Sequence, residues 1–348
     1  MGKFKQLLLV AIVTAGGWGS CSEQQTVPNV EKHFESESRA KLDSVAMPGL
    51  VSPFRWYTAG GRLVMLDIQA DPVVHLFTLP NMDTLCVFGR QGKGPGEYLL
   101  PGLIENVADD RVALYETNPN RVQYYRLRED SVEAETATQF PQWIADRAIA
   151  KAYSSVWQVD EKRAIGLAFP SSFPEADLID LASVAYVDSL DFVSRQFKQE
   201  SEPASLYLCQ GDYAAGYFAL GYRYIDRLEV YRVDRDGFTP LYVVGEQLDP
   251  KQTALYDAER DDEMMLYYTD VALVRGRLFA LRQQVPEGER GECKTVLEIY
   301  DVKSGKGLRR VELGRPIDRC VVDPVTGILY GYDPFCEVPQ LYVCGPEY

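Results

Sequence analysis

The first candidate for ligand chemistry is a glycine-rich segment, FGRQGKGPGEYLLPG, at residues 88–102. Loops that combine several glycines with a lysine often bind phosphate through their backbone N–H groups. A phosphate-binding loop of this kind, however, has Ser or Thr after its Gly-Lys pair and opens a helix. Here a glycine and a proline follow Lys93, and strand-like residues flank the segment on both sides. We therefore interpret it as a tight loop in which Gly92, Gly94 and Gly96 permit positive φ angles, with direct ligand contact as the alternative.

Histidine and metal chemistry find little support. His33 and His75 are the only histidines, so the sequence cannot build a Ser-His-Asp triad or a histidine-rich metal site within the domain. The segment DRDG at 234–237 resembles the start of a calcium loop, but the downstream glutamate is missing, and a hairpin turn is the better interpretation. The sequence therefore predicts no metal site, no cofactor and no catalytic residue that can be named.

Acidic residues in the longest insertion, residues 246–270, could serve acid–base chemistry. A glycosidase-type mechanism needs two carboxyl groups at a fixed separation, and the run DDE at 261–263 supplies carboxyl groups. A solvated acidic surface is the alternative interpretation. Residues 253–266 are expected to form a short helix in this insertion.

Aromatic and basic residues in the loops are the candidates for binding a ligand or a partner. Exposed aromatic rings suit sugars or peptides, and cations add charge-assisted hydrogen bonds in an acidic protein. These candidates are Arg90, Lys93, Phe169, Phe173, Tyr222, Arg223, Tyr224, Tyr332 and Phe335. The alternative is that the aromatic side chains pack the loops against one another.

A repeated strand architecture must position these residues. A short motif, in which Arg or Gly precedes an apolar run, recurs about every fifty residues, beginning at Arg62, Arg111, Arg163, Gly216, Arg277 and Gly327. A further run with alternating apolar residues follows each copy and is expected to be the next strand, as in RLEVYRVD at 227–234 or ASVAYVDSL at 182–190.

Six repeats of about four strands each predict an all-β fold, a six-bladed β-propeller with four-stranded blades. The last unit ends after its third strand, near Cys344, and an unpaired strand edge promotes aggregation. We expect residues 40–46 to supply the missing fourth strand and to close the ring. Residues 40–348 are therefore predicted to form one propeller domain.

One blade boundary resembles a known family. Residues 61–103, GRLVMLDIQADPVVHLFTLPNMDTLCVFGRQGKGPGEYLLPGL, look like an NHL-type blade with its exit loop. GKGPGEY at 92–98 is similar to the loop of six-bladed, TolB-like and NHL-like propeller lipoproteins of Bacteroidetes. The resemblance implies the fold but little about activity, because propellers host many unrelated functions.

The N-terminus has the pattern of an exported lipoprotein. Two lysines precede an apolar run, residues 7–15, that is too short to span a bilayer as a helix. Residues 17–21, GWGSC, resemble a bacterial lipoprotein signal, which implies that Cys21 carries lipid. We predict a signal peptide at 1–20 and a tether at 21–39. The expected location is the cell envelope, anchored in the outer membrane and on its periplasmic side rather than on the cell surface.

Charge and cysteine content narrow the classes further. The net charge of −15 and the absence of a basic cluster argue against nucleic acid as a partner. The six cysteines after Cys21 are irregularly spaced, and several lie in apolar runs, so we expect most of them to be unpaired.

Three classes of function remain open. The sequence favours a non-enzymatic binding or assembly module that contacts the membrane through its lipid and binds a glycan, a peptide or a protein. The alternatives are a hydrolase or lyase that uses carboxylates or tyrosines, and a sensory or regulatory module. Converging carboxylates in the propeller channel would favour the enzyme, whereas an apolar patch on one face would favour protein assembly.

Overall fold

The computed structural model describes residues 27–47, 49–94, 96–117, 120–137, 153–168, 176–181, 185–190, 209–246 and 264–346. These residues form an all-β protein whose sheets are arranged as a propeller. The described strands form five sheets of four or more strands and one two-stranded ladder. The described residues also contain the 3-10 helix Glu287–Glu292.

Sheet 1 is an antiparallel meander, in which each strand pairs with the next one along the chain. Its strands are Arg55–Ala59, Arg62–Leu66, Val74–Thr78 and Thr84–Phe88. The two-stranded ladder follows directly and pairs Arg90–Gln91 in parallel with Glu97–Tyr98. The glycine-rich segment therefore begins at the outer strand of sheet 1.

Sheet 2 has eight strands and consists of two meanders joined by their first strands. The first meander contains Gly102–Ala108, Arg111–Thr117, Asn120–Leu127 and Val132–Ala134. The second contains Tyr153–Gln158, Arg163–Ala168, Ala176–Asp180 and Ala185–Leu190. The two first strands pair in parallel, with Ile104 opposite Val156 and Glu105 opposite Trp157.

The second meander of sheet 2 corrects one strand assignment. The run at 182–190 was expected to follow the motif strand directly, but its strand is the fourth of the meander, and Ala176–Asp180 is the third. That third strand is difficult to recognise in the sequence because Asp177 places a charge in its short apolar run. The Asp177 carboxylate is fully buried and accepts hydrogen bonds from Tyr153 Oη at 2.8 Å and Ser189 Oγ at 2.6 Å.

Sheets 3, 4 and 5 are built from the C-terminal half of the chain. Sheet 3 contains Cys209–Ala214, Tyr217–Tyr222, Arg227–Val233 and Phe238–Gly245. Sheet 4 contains Met265–Val274, Arg277–Pro286, Val296–Asp301 and Gly307–Glu312. Sheet 5 contains Arg319–Val322, Leu329–Tyr332 and Gln340–Cys344.

The N-terminal segment adds one strand to each of these three sheets. Asn29–Val30 pairs in parallel with the outer strand of sheet 3, and Phe34–Arg39 does the same on sheet 4. Leu42–Ala46 pairs antiparallel with Gln340–Cys344 as the fourth strand of sheet 5. Two strands thus lie inside the segment 21–39 that was expected to be a tether. Their residues are mostly exposed, so the burial pattern that identifies a strand in a sequence is missing.

Two-residue turns explain the repeated motif. Gly60–Gly61, Ala215–Gly216 and Arg275–Gly276 each join a first strand to a second strand, and both residues of each pair have positive φ angles. Such turns match the twist of an antiparallel hairpin. Each of the six predicted motif copies overlaps the second strand of a meander, and such a turn leads into the strands of the copies at Arg62, Gly216 and Arg277.

The core is divided into six hydrophobic clusters, and each cluster lies between two neighbouring meanders. In chain order around the molecule, representative buried pairs are Leu76 with Leu114, Ala113 with Val156, Trp157 with Phe218, Leu228 with Leu278, Leu297 with Leu329, and Tyr330 with Met65. The last of these clusters packs the C-terminal meander against sheet 1.

The cysteines of the described residues are all free thiols. They are Cys86, Cys209, Cys293, Cys320, Cys336 and Cys344. The prediction that most of the cysteines are unpaired is therefore confirmed for these six.

Candidate functional site

Most of the predicted binding residues at 222–224 are buried. Tyr222 is fully buried between sheets 2 and 3, and its hydroxyl donates to Glu229 Oε2 at 3.1 Å. Tyr224 is also buried, with its hydroxyl 3.4 Å from Glu287 Oε2. A stacking platform needs an exposed ring, which neither residue offers. Both buried tyrosines therefore fit the alternative interpretation, in which the aromatic side chains pack the loops against one another.

An ion-pair network fixes the neighbouring charges. Arg223 donates to both carboxylate oxygens of Glu287, at 2.8 and 3.3 Å. Arg290 donates to the same carboxylate at 2.9 Å and also pairs with Asp318. The Arg290 guanidinium lies 5.6 Å from the ring centre of Phe335, which is about half exposed. The network thus brings Arg223 and Phe335 to one surface, although the Arg223 guanidinium is already paired with Glu287 of the same chain.

Tyr332 belongs to another contact. Its ring packs edge-to-face against Trp56, with the ring centres 5.7 Å apart, and the side chain is half-buried. Tyr332 therefore joins sheet 5 to sheet 1.

The glycine-rich loop is folded around Glu97. The Glu97 carboxylate accepts a hydrogen bond from Gly94 N at 2.7 Å, and Gly92 N donates to Tyr98 O at 2.9 Å. A methyl group at Gly92 would overlap the Glu97 carboxylate. Gly92 and Gly96 have positive φ, as expected, whereas Gly94 does not. Because protein acceptors take the N–H groups of Gly92 and Gly94, the loop does not offer these two donors to a phosphate.

The two cations of this loop are exposed at its surface. Arg90 and Lys93 form no ion pair with another described residue. Leu99 and Leu100, at the end of the same loop, are also exposed. The loop therefore presents a mixed basic and apolar surface.

Several sequence-predicted residues fall outside the described part of the chain. They are Cys21, Phe169, Phe173 and the acidic run at 261–263. The helix expected at 253–266 also lies mainly outside it, and its last two residues instead begin the strand Met265–Val274.

One end of the molecule carries most of the exposed apolar side chains. In an antiparallel meander, the segment entering the first strand and the segment joining the second and third strands lie at the same end; we call this end the loop face. Six of the eight exposed large hydrophobic residues among those described lie in such segments: Val51, Phe54, Leu99, Leu100, Phe335 and Val338. The other two are Val87, on an outer strand, and Val325, at the opposite end.

A second candidate site lies between the first strands of the meanders. Side chains from the first strands of all five large sheets line a cavity of about 290 Å³, which we call the channel cavity. Arg55 Nε donates to Glu105 Oε1 at 2.9 Å, and the Arg55 guanidinium lies 5.3 Å from the Trp157 ring centre. Arg319, on the first strand of sheet 5, donates from Nη1 to Gln210 Oε1 at 2.9 Å.

Two aspartates complete the charged lining. Asp212 accepts hydrogen bonds from Leu273 N at 2.6 Å and Tyr213 N at 2.8 Å. Asp270 Oδ2 accepts a hydrogen bond from Cys320 N at 2.8 Å. Each aspartate thus links its own strand to the first strand of the next sheet, and neither forms an ion pair within the described residues.

Burial changes the acidity of these carboxyl groups. Desolvation, followed by the charge of Glu105, raises the pKa of Asp212 to about 8. Burial also raises the pKa of Asp270 and of Glu105, although Arg319 opposes the first shift and Arg55 the second. At neutral pH Asp212 therefore retains its proton, and the channel cavity contains both hydrogen-bond donors and acceptors.

The channel residues were not predicted from the sequence. The sequence motifs marked the second and later strands of each meander, whereas the first strands line the channel cavity. The available signal was a charge inside an apolar run, as in GLIENVA around Glu105 and MLYYTDVALV around Asp270. A buried charge in a strand is costly unless a partner or a ligand satisfies it, so such positions are candidates for a site.

The described residues contain no group of three or more His, Cys, Asp or Glu side chains placed to hold a metal ion. Within the same residues, no helix has the length and apolar character that crossing a bilayer requires.

Comparisons with known proteins identify the fold. No protein-family model and no curated protein sequence matches the chain. A protein of Bacteroides fragilis described as a putative exported protein has a similar structure, with a TM-score of 0.58 and 13% identity over 92% of this chain and 99% of that one. A luciferin-regenerating enzyme (TM-score 0.50, 9% identity, 88% and 95% of the two chains) is also similar. So is Raptor of Chaetomium thermophilum, over 89% of this chain and 29% of that one (TM-score 0.52, 11% identity). At these identities the likeness shows the propeller fold alone.

Proposed function

We propose that this protein is an exported, lipid-anchored, six-bladed β-propeller that acts as a binding or assembly module. Its loop face docks a protein or peptide partner.

The blade count rests on the meanders. Sheets 1, 3, 4 and 5 each form one blade, and the eight-stranded sheet 2 forms two, joined by the short parallel pairing of their first strands. The six hydrophobic clusters between neighbouring meanders support a closed ring, and Leu42–Ala46 completes the last blade. The TolB-like and NHL-like type is proposed from the resemblance of the loop at 92–98.

Export is supported by the signal-like N-terminus and by the structural likeness to an exported protein of Bacteroides fragilis. We place the protein in the outer membrane, facing the periplasm, with lipid on Cys21. Replacing Cys21→Ala should move the protein from the membrane pellet to the soluble fraction of the envelope. Membrane association that survives this substitution would exclude a lipid anchor at Cys21.

The observation that carries the docking proposal is the concentration of exposed apolar side chains on the loop face. Contiguous apolar surface on a water-soluble domain commonly marks a contact with another protein. Arg90 and Lys93 lie beside two of these side chains, and cations at the edge of an apolar surface favour a partner with acidic residues at its rim. Among the partner classes left open by the sequence, a protein or peptide fits this surface better than a glycan.

Site-specific photocrosslinking in intact cells tests the proposal. A photoreactive residue at Leu100 should give one discrete adduct, and Val338→Asp on the same face should remove it. Val325→Asp is the matched control, because Val325 is equally exposed but lies at the opposite end. Docking on the loop face is excluded if Leu100 gives no adduct, or if only the Val325 substitution weakens it.

The channel cavity supports a second candidate, a hydrolase or lyase that uses carboxyl groups. A protonated Asp212 near the ionisable Glu105 and Asp270 is the arrangement from which acid–base pairs are made. Docking of a partner at the loop face does not depend on this acid–base chemistry in the channel cavity. Product formation from a defined glycan, abolished by Asp212→Asn, would favour the enzyme.

A further inference from the structure

The channel cavity contains polar groups whose hydrogen-bonding capacity the protein leaves partly unused. Arg55 uses only its Nε, for Glu105, and its two terminal nitrogens have no hydrogen-bond partner among the described residues. Arg319 likewise uses one nitrogen, for Gln210. Five N–H donors are available on each guanidinium, so each has donors left for a ligand.

Acceptors are unused in the same cavity. Asp270 accepts one hydrogen bond through Oδ2, and its Oδ1 has no partner among the described residues. Tyr57 also contributes to the lining, but its hydroxyl is enclosed by protein and is not accessible from the cavity. The unused groups of the cavity are therefore those of Arg55, Arg319 and Asp270.

We propose that the channel cavity binds a neutral, polyhydroxylated small molecule of about monosaccharide size. The cavity shares Phe54 with the loop face, but the inference does not rest on docking there.

The mixture of unused groups selects this chemistry. An anion would meet Arg55 and Arg319 but would face the carboxyl groups of Asp270 and Glu105. A cation would meet the carboxyl groups but would face the two guanidinium groups. A hydroxyl group donates and accepts at once and carries no charge, so several hydroxyls satisfy both kinds of group without a Coulombic cost.

The size and the walls agree with such a ligand. The cavity of about 290 Å³ lies near the lower end of the ~300–1,000 Å³ range of small-molecule sites. Four aromatic residues, Phe54, Trp56, Tyr57 and Tyr213, contribute to its lining. Aromatic surface beside a few polar groups suits the alternating apolar and hydroxyl-bearing faces of a sugar ring.

Calorimetric titration of the full-length protein with single compounds tests the proposal. Glucose, galactose, mannose and N-acetylglucosamine form the test set, and sodium acetate, lysine and sodium phosphate form the ionic set. We expect at least one sugar to bind with a dissociation constant below about 10 mM, and no ion to compete with it. Failure of all four sugars, or displacement of the sugar by acetate or lysine, overturns the inference.

Matched substitutions locate the binding. Arg319→Lys keeps the positive charge but removes guanidinium donors, so sugar affinity should drop several-fold. Asp270→Asn retains an acceptor for Cys320 N but alters the second oxygen, and it should weaken binding about tenfold. Tyr330→Phe is the control, because Tyr330 is buried and lies outside the cavity. Sugar affinity that is unchanged in both cavity variants, or reduced equally in the control, places the sugar elsewhere and overturns the inference.

Discussion

Two buried glutamates are held in the same way in the third strands of sheets 3 and 4. Glu229 accepts hydrogen bonds from Tyr222 and Tyr231 and pairs with Arg227 at 2.6 Å. Glu298 accepts bonds from Tyr268 at 3.0 Å and Tyr300 at 2.7 Å, and Arg282 lies 3.8 Å away. In both sheets the tyrosine stands two residues after the glutamate, as in LEVY and LEIY. The motif tolerates a buried charge because each carboxylate has several donors.

The Glu229 motif leads to the first prediction. Glu229→Ala should lower the free energy of unfolding by about 3 kcal/mol, because it removes a buried carboxylate that pairs with Arg227 and accepts hydrogen bonds from two tyrosines. Urea unfolding measures the change. Glu133→Ala, which removes the exposed partner of Arg128, should leave the free energy of unfolding nearly unchanged. Equal losses in the two variants would contradict this account of Glu229.

The raised pKa of Asp212 predicts a pH dependence. A carboxyl group whose folded pKa exceeds its unfolded pKa binds more protons in the folded state, so its contribution to stability is lost as the pH rises from about 4 to about 8. Asp212→Asn removes this loss. The melting temperature of the variant relative to the native protein should therefore increase from pH 5 to pH 8.5. A difference that stays constant over this range would show that Asp212 titrates normally in the folded protein.

For the glycine-rich loop, the sequence predicted the tight loop correctly but the backbone angle of one glycine incorrectly. The sequence predicted a tight loop with special backbone geometry, and Gly92 and Gly96 adopt positive φ. Gly94 does not, and its proximity to the Glu97 carboxylate instead explains why a side chain is disfavoured there. Composition reveals where the backbone is unusual, but not which later residue folds back onto it.

A pair of substitutions separates the two roles of glycine in this loop. Gly92→Ala should cost about 2 kcal/mol or more, because the methyl group displaces Glu97 in addition to straining the backbone. Gly96→Ala, where the added methyl group meets nothing within 4 Å, should cost only the backbone strain of about 1 kcal/mol. Chemical denaturation of both variants gives the comparison. A larger loss for Gly96→Ala would refute the packing role assigned to Gly92.

Sequence reasoning succeeded best where the pattern repeats. The motif copies from Arg62 to Gly327 marked the second strands, because a buried apolar strand that follows a turn leaves a clear signature. It failed at Asp177, where a buried charge hides a strand, and at Phe34–Arg39, where an edge strand is exposed. It also missed Asp212 and Asp270, because their significance depends on which strands surround the channel, and that arrangement arises only in the folded chain.

At the scale of the whole molecule, the N-terminal strands should contribute to stability, because they pair with sheets 3, 4 and 5. A soluble variant that begins at residue 48 lacks Leu42–Ala46, and its melting temperature should fall by roughly 10 °C or more, because the last blade loses its fourth strand. A variant that begins at residue 34 retains that strand and should lose only a few degrees. Differential scanning calorimetry on both variants checks the order. If the two are equally stable, Leu42–Ala46 does not close the propeller.

The pairing of Leu42–Ala46 with Gln340–Cys344 also fixes when the protein can finish folding. The first of these strands is synthesised roughly 300 residues before its partner, an interval of about 15–60 s at ~5–20 residues per second. During that time the strand Leu42–Ala46 must remain unpaired and must not pair with another strand. A chain cut short before residue 340 has no site for it at all. Completion of sheet 5 therefore requires residues 340–344, and a product that lacks them keeps an open strand edge.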